Sequence, residues 1–575
     1  MAVFAGSDAG ETIRPDLVTD SVFRNPPGAR PSDADDIING GGGDDIIEAS
    51  GGNDIVVGGD GDDQVLLGAG DDIFRAAWGA GNDIVNGSAG FDSYEWRGTD
   101  FGNEFELRVS AAGMSLHRNA GGTLNDIERL RLDMGGGSDF VVLDNLGGSS
   151  LERVEIDFAA GEGQEDFDAV RLLGDYGADR LVLRQAGPDL TIAGLAAAIS
   201  IAGMSSGDQV QMFAHSGDDV INLSALLAGA PRMLVDGGTG DDLILPGMSA
   251  ERIFGGGGVD TISYAHSPEA VRIGAVGIAG DGGSAEGDTL SLWSTLIGSA
   301  FDDTLTGNAA ADTLIGGAGG DRLGGAGGDD ILNGGVGDDQ LDGAGGDDTM
   351  FGGAGDDRYE IDEAGDSVIE AAGGGSDRIY SSIDITLPAN VENLSLDPLG
   401  GDLDGTGNLL ANGLSGNVDA NELRGGGGAD TLLGFAGNDI LKGGNGNDSG
   451  YGDMGADRIY GGAGADTFGG GQGSDWFVFD TAPGPGQADT ITDFSRPDDT
   501  IYLKRTIFAG LPAGPLAADA FVLGTAAEDA EDRVIYDAAT GRLFFDPDGL
   551  GGAAQLLFAR LDPETELGAG DFRGF

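Results

Sequence analysis

An aspartate returns every nine residues along much of this chain, each time closing a glycine-rich turn that leads into a short apolar run. Asp36, Asp45, Asp54, Asp63 and Asp72 form one in-phase array. Asp303, Asp312, Asp321, Asp330, Asp339, Asp348 and Asp357 form a second, and Asp430, Asp439, Asp448, Asp457, Asp466 and Asp475 a third. The first array continues past an insertion to Asp83 and Asp92, and turns of the same kind resurface at Asp219, Asp242 and Asp260. A fixed short period ties backbone shape to carboxylate placement, so the chain must fold by stacking like units rather than around one large core.

The unit reads Gly-Gly-x-Gly-x-Asp-x-apolar-x, as in Gly352-Gly353-Ala354-Gly355-Asp356-Asp357-Arg358-Tyr359-Glu360. Its glycines suit a turn that enters φ > 0 and brings carbonyl oxygens towards a shared point. The residues after the aspartate predict a minimal strand whose central side chain faces inward. Leu314, Leu323, Leu332, Leu341 and Met350 take that slot in the second array, and Leu432, Ile440 and Ile459 in the third. Turn plus strand makes half a coil, so aspartates two units apart should lie one above the other on the same edge. Stacked turns then offer carboxylate and carbonyl oxygens, roughly six ligands per ion, which suits Ca²⁺ better than Mg²⁺. Soft metals find no thiolate and no imidazole cluster.

Composition narrows the partners. Asp plus Glu number 99 against 29 Lys plus Arg, a formal net charge of −70. Such a surface repels nucleic acid and anionic membranes and asks for a cation. With no cysteine, disulfides and zinc–thiolate sites are excluded. Residues 1–30 lack a basic start followed by an apolar run of signal-peptide length, so no N-terminal export signal is expected. The longest apolar stretch, Leu195 to Met204, is too short to span a bilayer, and membrane insertion is not expected.

These arrays resemble the nonapeptide repeats of RTX (haemolysin-type) calcium-binding proteins. The resemblance implies an all-β fold, a right-handed parallel β-roll or β-solenoid with Ca²⁺ between alternate turns along both edges. All the aspartates named above are then candidate ligands, and an array of n units holds about n − 2 ions, roughly a dozen in all. After Asp475 the repeat gives way to Trp476, Phe477, Phe479, Phe494 and Tyr502, and Asp532–Asp546 reads as a hairpin. This region resembles the secretion-target segment of type I-exported RTX proteins. That likeness implies a β-rich cap, the type I export machinery as a partner and an extracellular location.

The organisation expected is therefore a leader or cap over 1–32, array one over 33–97, and a degenerate β-solenoid or β-rich module over 98–300. Array two follows over 301–360, a bridge over 361–424, array three over 425–480, and the C-terminal cap and secretion region over 481–575. Within 98–300, strands are expected at Phe105–Val109, Ile127–Leu132, Phe140–Leu143 and Leu181–Leu183. In the bridge, Asn412 and Asn421 keep the phase but offer less charge, so weak or empty sites are expected there.

Without calcium, stacked aspartates repel and each thin coil buries little, so the chain should be largely disordered and easily threaded. Extracellular calcium, bound at about 10⁻⁴–10⁻³ M in modules of this kind, would then fold it, because binding energy is folding energy where the cage exists only when folded. For catalysis the sequence nominates no residue: His117, His215 and His266 lie far apart, and no H-E-x-x-H occurs. The reading is a secreted, non-catalytic calcium-binding protein of the extracellular matrix, surface layer or adhesion, with cell-surface or matrix polysaccharide as a partner. The alternative is a polysaccharide-modifying enzyme with its site in 98–300 and the repeats as a calcium-dependent tail.

Overall fold

Strand pairing in the computed structural model follows the eighteen-residue coil. Ile37 pairs with Ile55 and Ile55 with Ile73, each in parallel, while on the opposite sheet Ile46 pairs with Gln64. The structure describes residues 2–7, 9–14, 23–25, 30–111, 113–119, 121–158, 166–274 and 277–575. Part of the expected leader, including 15–22 and 26–29, lies outside the described residues; Val3–Ala5 and Thr12–Ile13 form strands that stack on array one. The fold is an all-β parallel β-roll, and no α-helix occurs among the described residues. The chain divides into two units, 1–305 and 306–575.

In the first unit, strand pairing continues, mostly in parallel, through the region where the nine-residue phase is lost. One sheet continues from Ser93–Arg97 to Arg129–Asp133, Arg153–Asp157 and Ala198–Ala202. The other continues from Phe140–Asp144 through Ala169–Leu173, Gln209–Phe213 and Arg232–Thr239 to Glu251–Gly257. The extra chain length is taken up by antiparallel excursions. Glu104–Ser110, Gly113–Arg118 and Gly121–Asn125 make one in the second sheet, and Arg180–Ala186, Asp189–Ala193 and Ala198–Ala202 make one in the first. Of the strands expected here, three form over slightly longer spans. The fourth is shorter than expected: it begins at Arg129, because the chain turns at Asp126, where φ is +49°, and Ile127 packs inward ahead of it.

In the second unit one inward residue per half-coil builds the core. Leu314, Leu332 and Met350 stack on one side, and Leu323, Leu341, Tyr359, Ile379 and Leu394 on the other, all at most 1% exposed. Full burial of such a side chain is worth about 1.5–3 kcal/mol. In array three the slot belongs to Leu441 and not to Ile440, which is half-buried and points outward. Side chains alternate along a strand, so the inward position is the second after each aspartate, as at Leu432 and Ile459. Beyond Asp475 the solenoid closes on an aromatic cluster: Phe508 packs edge-on against Phe545 and Phe558 at 5.1 and 5.4 Å. The expected hairpin is present, Val534–Asp537 pairing antiparallel with Arg542–Phe545.

The stacking is tight enough to test a glycine. Gly353 lies at φ +108°, and a Cβ there would strike the carbonyl oxygen of Gly335 in the coil before it. Gly324, in contrast, has open space where its Cβ would stand and no positive φ. G353A is expected to lower the stability of the calcium-loaded chain by about 1–3 kcal/mol, and G324A to change it by less than about 0.5 kcal/mol. Denaturant unfolding in millimolar calcium checks the pair.

Candidate metal centres

Each repeat aspartate uses one carboxylate oxygen to build the stack. The N–H of Asp36 donates to Oδ1 of Asp54 at 2.6 Å, Asp54 to Asp72 at 2.7 Å, and Asp72 to Asp92 at 2.9 Å. The opposite edge runs from Asp45 to Asp63 to Asp83. The second array carries Asp312 to Asp330 to Asp348 on one edge and Asp321 to Asp339 to Asp357 on the other. The third carries Asp430 to Asp448 to Asp466, and Asp439 to Asp457 to Asp475. These aspartates are at most 2% exposed.

The second oxygen separates two kinds of turn. At Asp45, Asp54, Asp63, Asp72, Asp92, Asp330, Asp348, Asp357, Asp430, Asp439, Asp448, Asp457, Asp466 and Asp475 it is buried with no hydrogen-bond partner among protein atoms. In every one of these the residue four positions earlier has positive φ, which turns its N–H away. That residue is glycine at eight of them, Gly41, Gly59 and Gly444 included, and Ser50, Ser88, Ala326, Ala344, Phe435 or Asp453 at the other six. At the other kind of turn that N–H points inward and caps the oxygen. Ser32 caps Asp36, Ser299 caps Asp303, and Asn308 caps Asp312 at 2.6 Å. Asn408 and Asn417 cap Asn412 and Asn421 in the same way. The amide of Asn421 also donates to the carbonyl of Leu403 at 2.8 Å, tying up an oxygen where an aspartate would present one of its own.

The uncapped oxygens face further oxygen donors. A Cβ at Gly425 would touch both Asp430 Oδ2 and the Gly443 carbonyl, and one at Gly443 would touch Asp448 Oδ2 and the Gly461 carbonyl. Carboxylate and carbonyl oxygens thus converge on one point per turn. A buried anion without a partner is costly, and a hard cation with oxygen ligands supplies the missing partner. The residues fit Ca²⁺.

The ladder also runs through the irregular stretch between the first two arrays. Asp219 passes to Asp242 and Asp242 to Asp260, and Asp219 and Asp242 are uncapped, with His215 (φ +75°) and Gly238 at the turning position. Asp260 is buried in the same column. Beyond those, Asn103 donates to Asp139, Asp139 to Asp168, and Asp168 to Asp208, at coil lengths of 29 to 40 residues for the last two steps. Asp139 and Asp377 have uncapped oxygens, and sequence reasoning missed both. The remaining signal was a glycine four residues before the aspartate, Gly135 and Gly373, without the rest of the repeat.

Burial raises these carboxyls. Asp54, Asp330 and Asp439 are pushed up to about 7, chiefly by desolvation and then by stacked neighbours such as Asp72, Asp348 and Asp457; a backbone N–H offsets part of the rise. Asp63 and Asp457 rise to about 6 for the same leading reason.

A family model agrees with the turn geometry. The model of the RTX calcium-binding nonapeptide repeat matches residues 32–65, 49–80, 234–262, 294–323, 324–359, 415–450 and 443–477. No curated protein matches the chain. Among solved structures, the chain is similar to the AlgE6R3 subunit of a mannuronan C5-epimerase from Azotobacter vinelandii, at 27% identity over 28% of this chain and 77% of that one. The TM-score is 0.18, so the fold described above rests on strand pairing alone.

Two outcomes are expected. D330N removes an uncapped oxygen and should raise the calcium concentration that folds array two about tenfold, whereas D312N, capped by Asn308, should move it less than about twofold. Calcium titrations followed by circular dichroism compare the two. In chelator, the sign of the pH effect follows from folded carboxyls at about 6–7 against about 3.9 unfolded. Protons favour the folded form, so structure without calcium should be greatest below about pH 4 and lost as pH rises through 6–7. An acid titration of the chelated protein by circular dichroism reads this directly.

Proposed function

We propose that this chain, which carries RTX calcium-binding nonapeptide repeats, is a secreted, non-catalytic protein that folds on meeting extracellular calcium. The observation that carries the reading is the column of buried, uncapped carboxylate oxygens along the edges of each array. About a dozen ions fill these turns, at the calcium levels typical of extracellular modules, about 10⁻⁴–10⁻³ M. In low calcium the repelling carboxylates keep the chain open, a form suited to passage through the type I export machinery. The C-terminal aromatic cap is the segment that machinery would read.

The folded protein then acts in the extracellular matrix, a surface layer or adhesion, with cell-surface or matrix polysaccharide as its partner. One groove supports that partner. On the first unit, Trp78, 56% exposed, stands with Arg75, Arg97 and Arg131 around a cavity of about 500 Å³. An exposed indole and guanidinium groups suit stacking on and hydrogen bonding to a sugar acid. Glu95 and Asp133 in the same groove are ion-paired, to Arg75 at 2.9 Å and to Arg97 at 3.7 Å. That pairing favours binding over acid–base chemistry. The second reading, a polysaccharide-modifying enzyme with its site in 98–300, draws on the same groove through Arg131 and Asp133.

The test of the calcium reading is circular dichroism during a calcium titration with chelator reversal. A cooperative rise in β-structure, reversed by chelator, is the expected result. A spectrum unchanged between chelator and millimolar calcium would overturn it.

A further inference from the structure

Where array two ends, the repeat breaks and a glutamate enters the column of aspartates. The coil after Asp357 is twenty residues long and ends at Asp377, whose Oδ1 accepts the Asp357 N–H at 2.9 Å. Thr349 pairs with Ser367 and Met350 with Val368. This register sets Glu370 one coil above Gly352, where a repeat would hold its first glycine.

Asp357, Glu370 and Asp377 are all buried, and a carboxylate oxygen from each lies within 4.8 Å of the other two. Asp357 and Asp377 are 2% and 0% exposed, and Oδ2 of each lacks a hydrogen-bond partner among protein atoms. Glu370 is held in place from two directions. The hydroxyl of Tyr359 donates to its Oε1, and the N–H of Ala371 to its Oε2 at 3.1 Å. Tyr359 itself is fully buried, in the inward slot that Leu323 and Leu341 fill in the coils below.

We propose that Glu370 joins Asp357 and Asp377 in a divalent-cation site whose third carboxylate comes from outside the repeat, one that takes Ca²⁺ and fastens the coil 361–377 to the end of array two. Oxygens this close can share one ion at Ca–O distances of about 2.3–2.6 Å. The donors are all hard, which disfavours zinc and copper. A third carboxylate, delivered by a residue outside the repeat, raises the ligand charge, and affinity in oxygen cages rises with ligand charge. The site therefore fills at lower calcium than the repeats of array three. Tyr359 is a positioning residue that aims Glu370 and is not a ligand.

The proposal rests on the reading that the arrays take up calcium, and the experiment separates the two. Hydrogen exchange by mass spectrometry on the full chain during a calcium titration gives a midpoint for 361–392 and another for 430–475. In the wild type the first should lie lower. E370Q should raise it about tenfold, Y359F about threefold, and both should leave 430–475 within about twofold. Unchanged midpoints for 361–392 in both variants would overturn the site, as would a wild type that gains protection only in 430–475. If E370Q abolishes protection everywhere, the chain has failed to fold and Y359F decides. Absence of calcium-dependent protection in any part of the wild type would sink the calcium reading itself.

Discussion

The structure depends on one hydrogen bond, repeated from coil to coil: the N–H of a buried aspartate donating to Oδ1 of the aspartate one coil further on. This bond sets the coil height and keeps the turns in register. It also fixes the carboxylate so that Oδ2 points into the turn. The carboxylate is thus both a structural acceptor and a ligand, and it cannot turn aside to find a different partner. Each coil buries few apolar side chains, so the cost of packing anions in columns is not offset by a large core. A hard cation among these oxygens would relieve that cost.

Backbone conformation four residues before the aspartate decides whether that oxygen is available. A left-handed residue turns its N–H away, and a serine or asparagine in the ordinary region turns it in. Nature of the side chain matters less than φ: Phe435, Asp453 and Ala344 hold the left-handed conformation that Gly41 and Gly59 hold elsewhere. Capped turns occur at Asp36, near the first strands of array one, at Asp303 and Asp312, and at Asn412 and Asn421 ahead of array three. There the protein satisfies the carboxylate or amide with its own N–H.

The irregular stretch between the first two arrays keeps the same ladder while discarding the period. Hairpins in each sheet absorb the added residues, and Asp139, Asp168 and Asp208 continue the column with coil lengths that no fixed spacing would find. Burial raises the carboxyls along these columns, and stacked neighbours add to it. The few basic residues work locally: Arg75 and Arg97 pair with acids across adjacent strands and leave an exposed tryptophan beside them.

The sequence by itself determined the coil, its eighteen-residue rise and the aspartates of the three arrays, because a period is a local property that survives without knowledge of distant contacts. It also showed that Asn412 and Asn421 hold the phase, and where the aromatic cap begins. Only the tertiary structure decided which oxygen each aspartate keeps free, since that depends on the φ of a residue four positions away and on the coil stacked above. It moved the inward slot from Ile440 to Leu441, which an apolar pair cannot disclose. It brought Asp139 and Asp377 into the columns and set Glu370 against Asp357, pairings made by strand register across coils of unequal length.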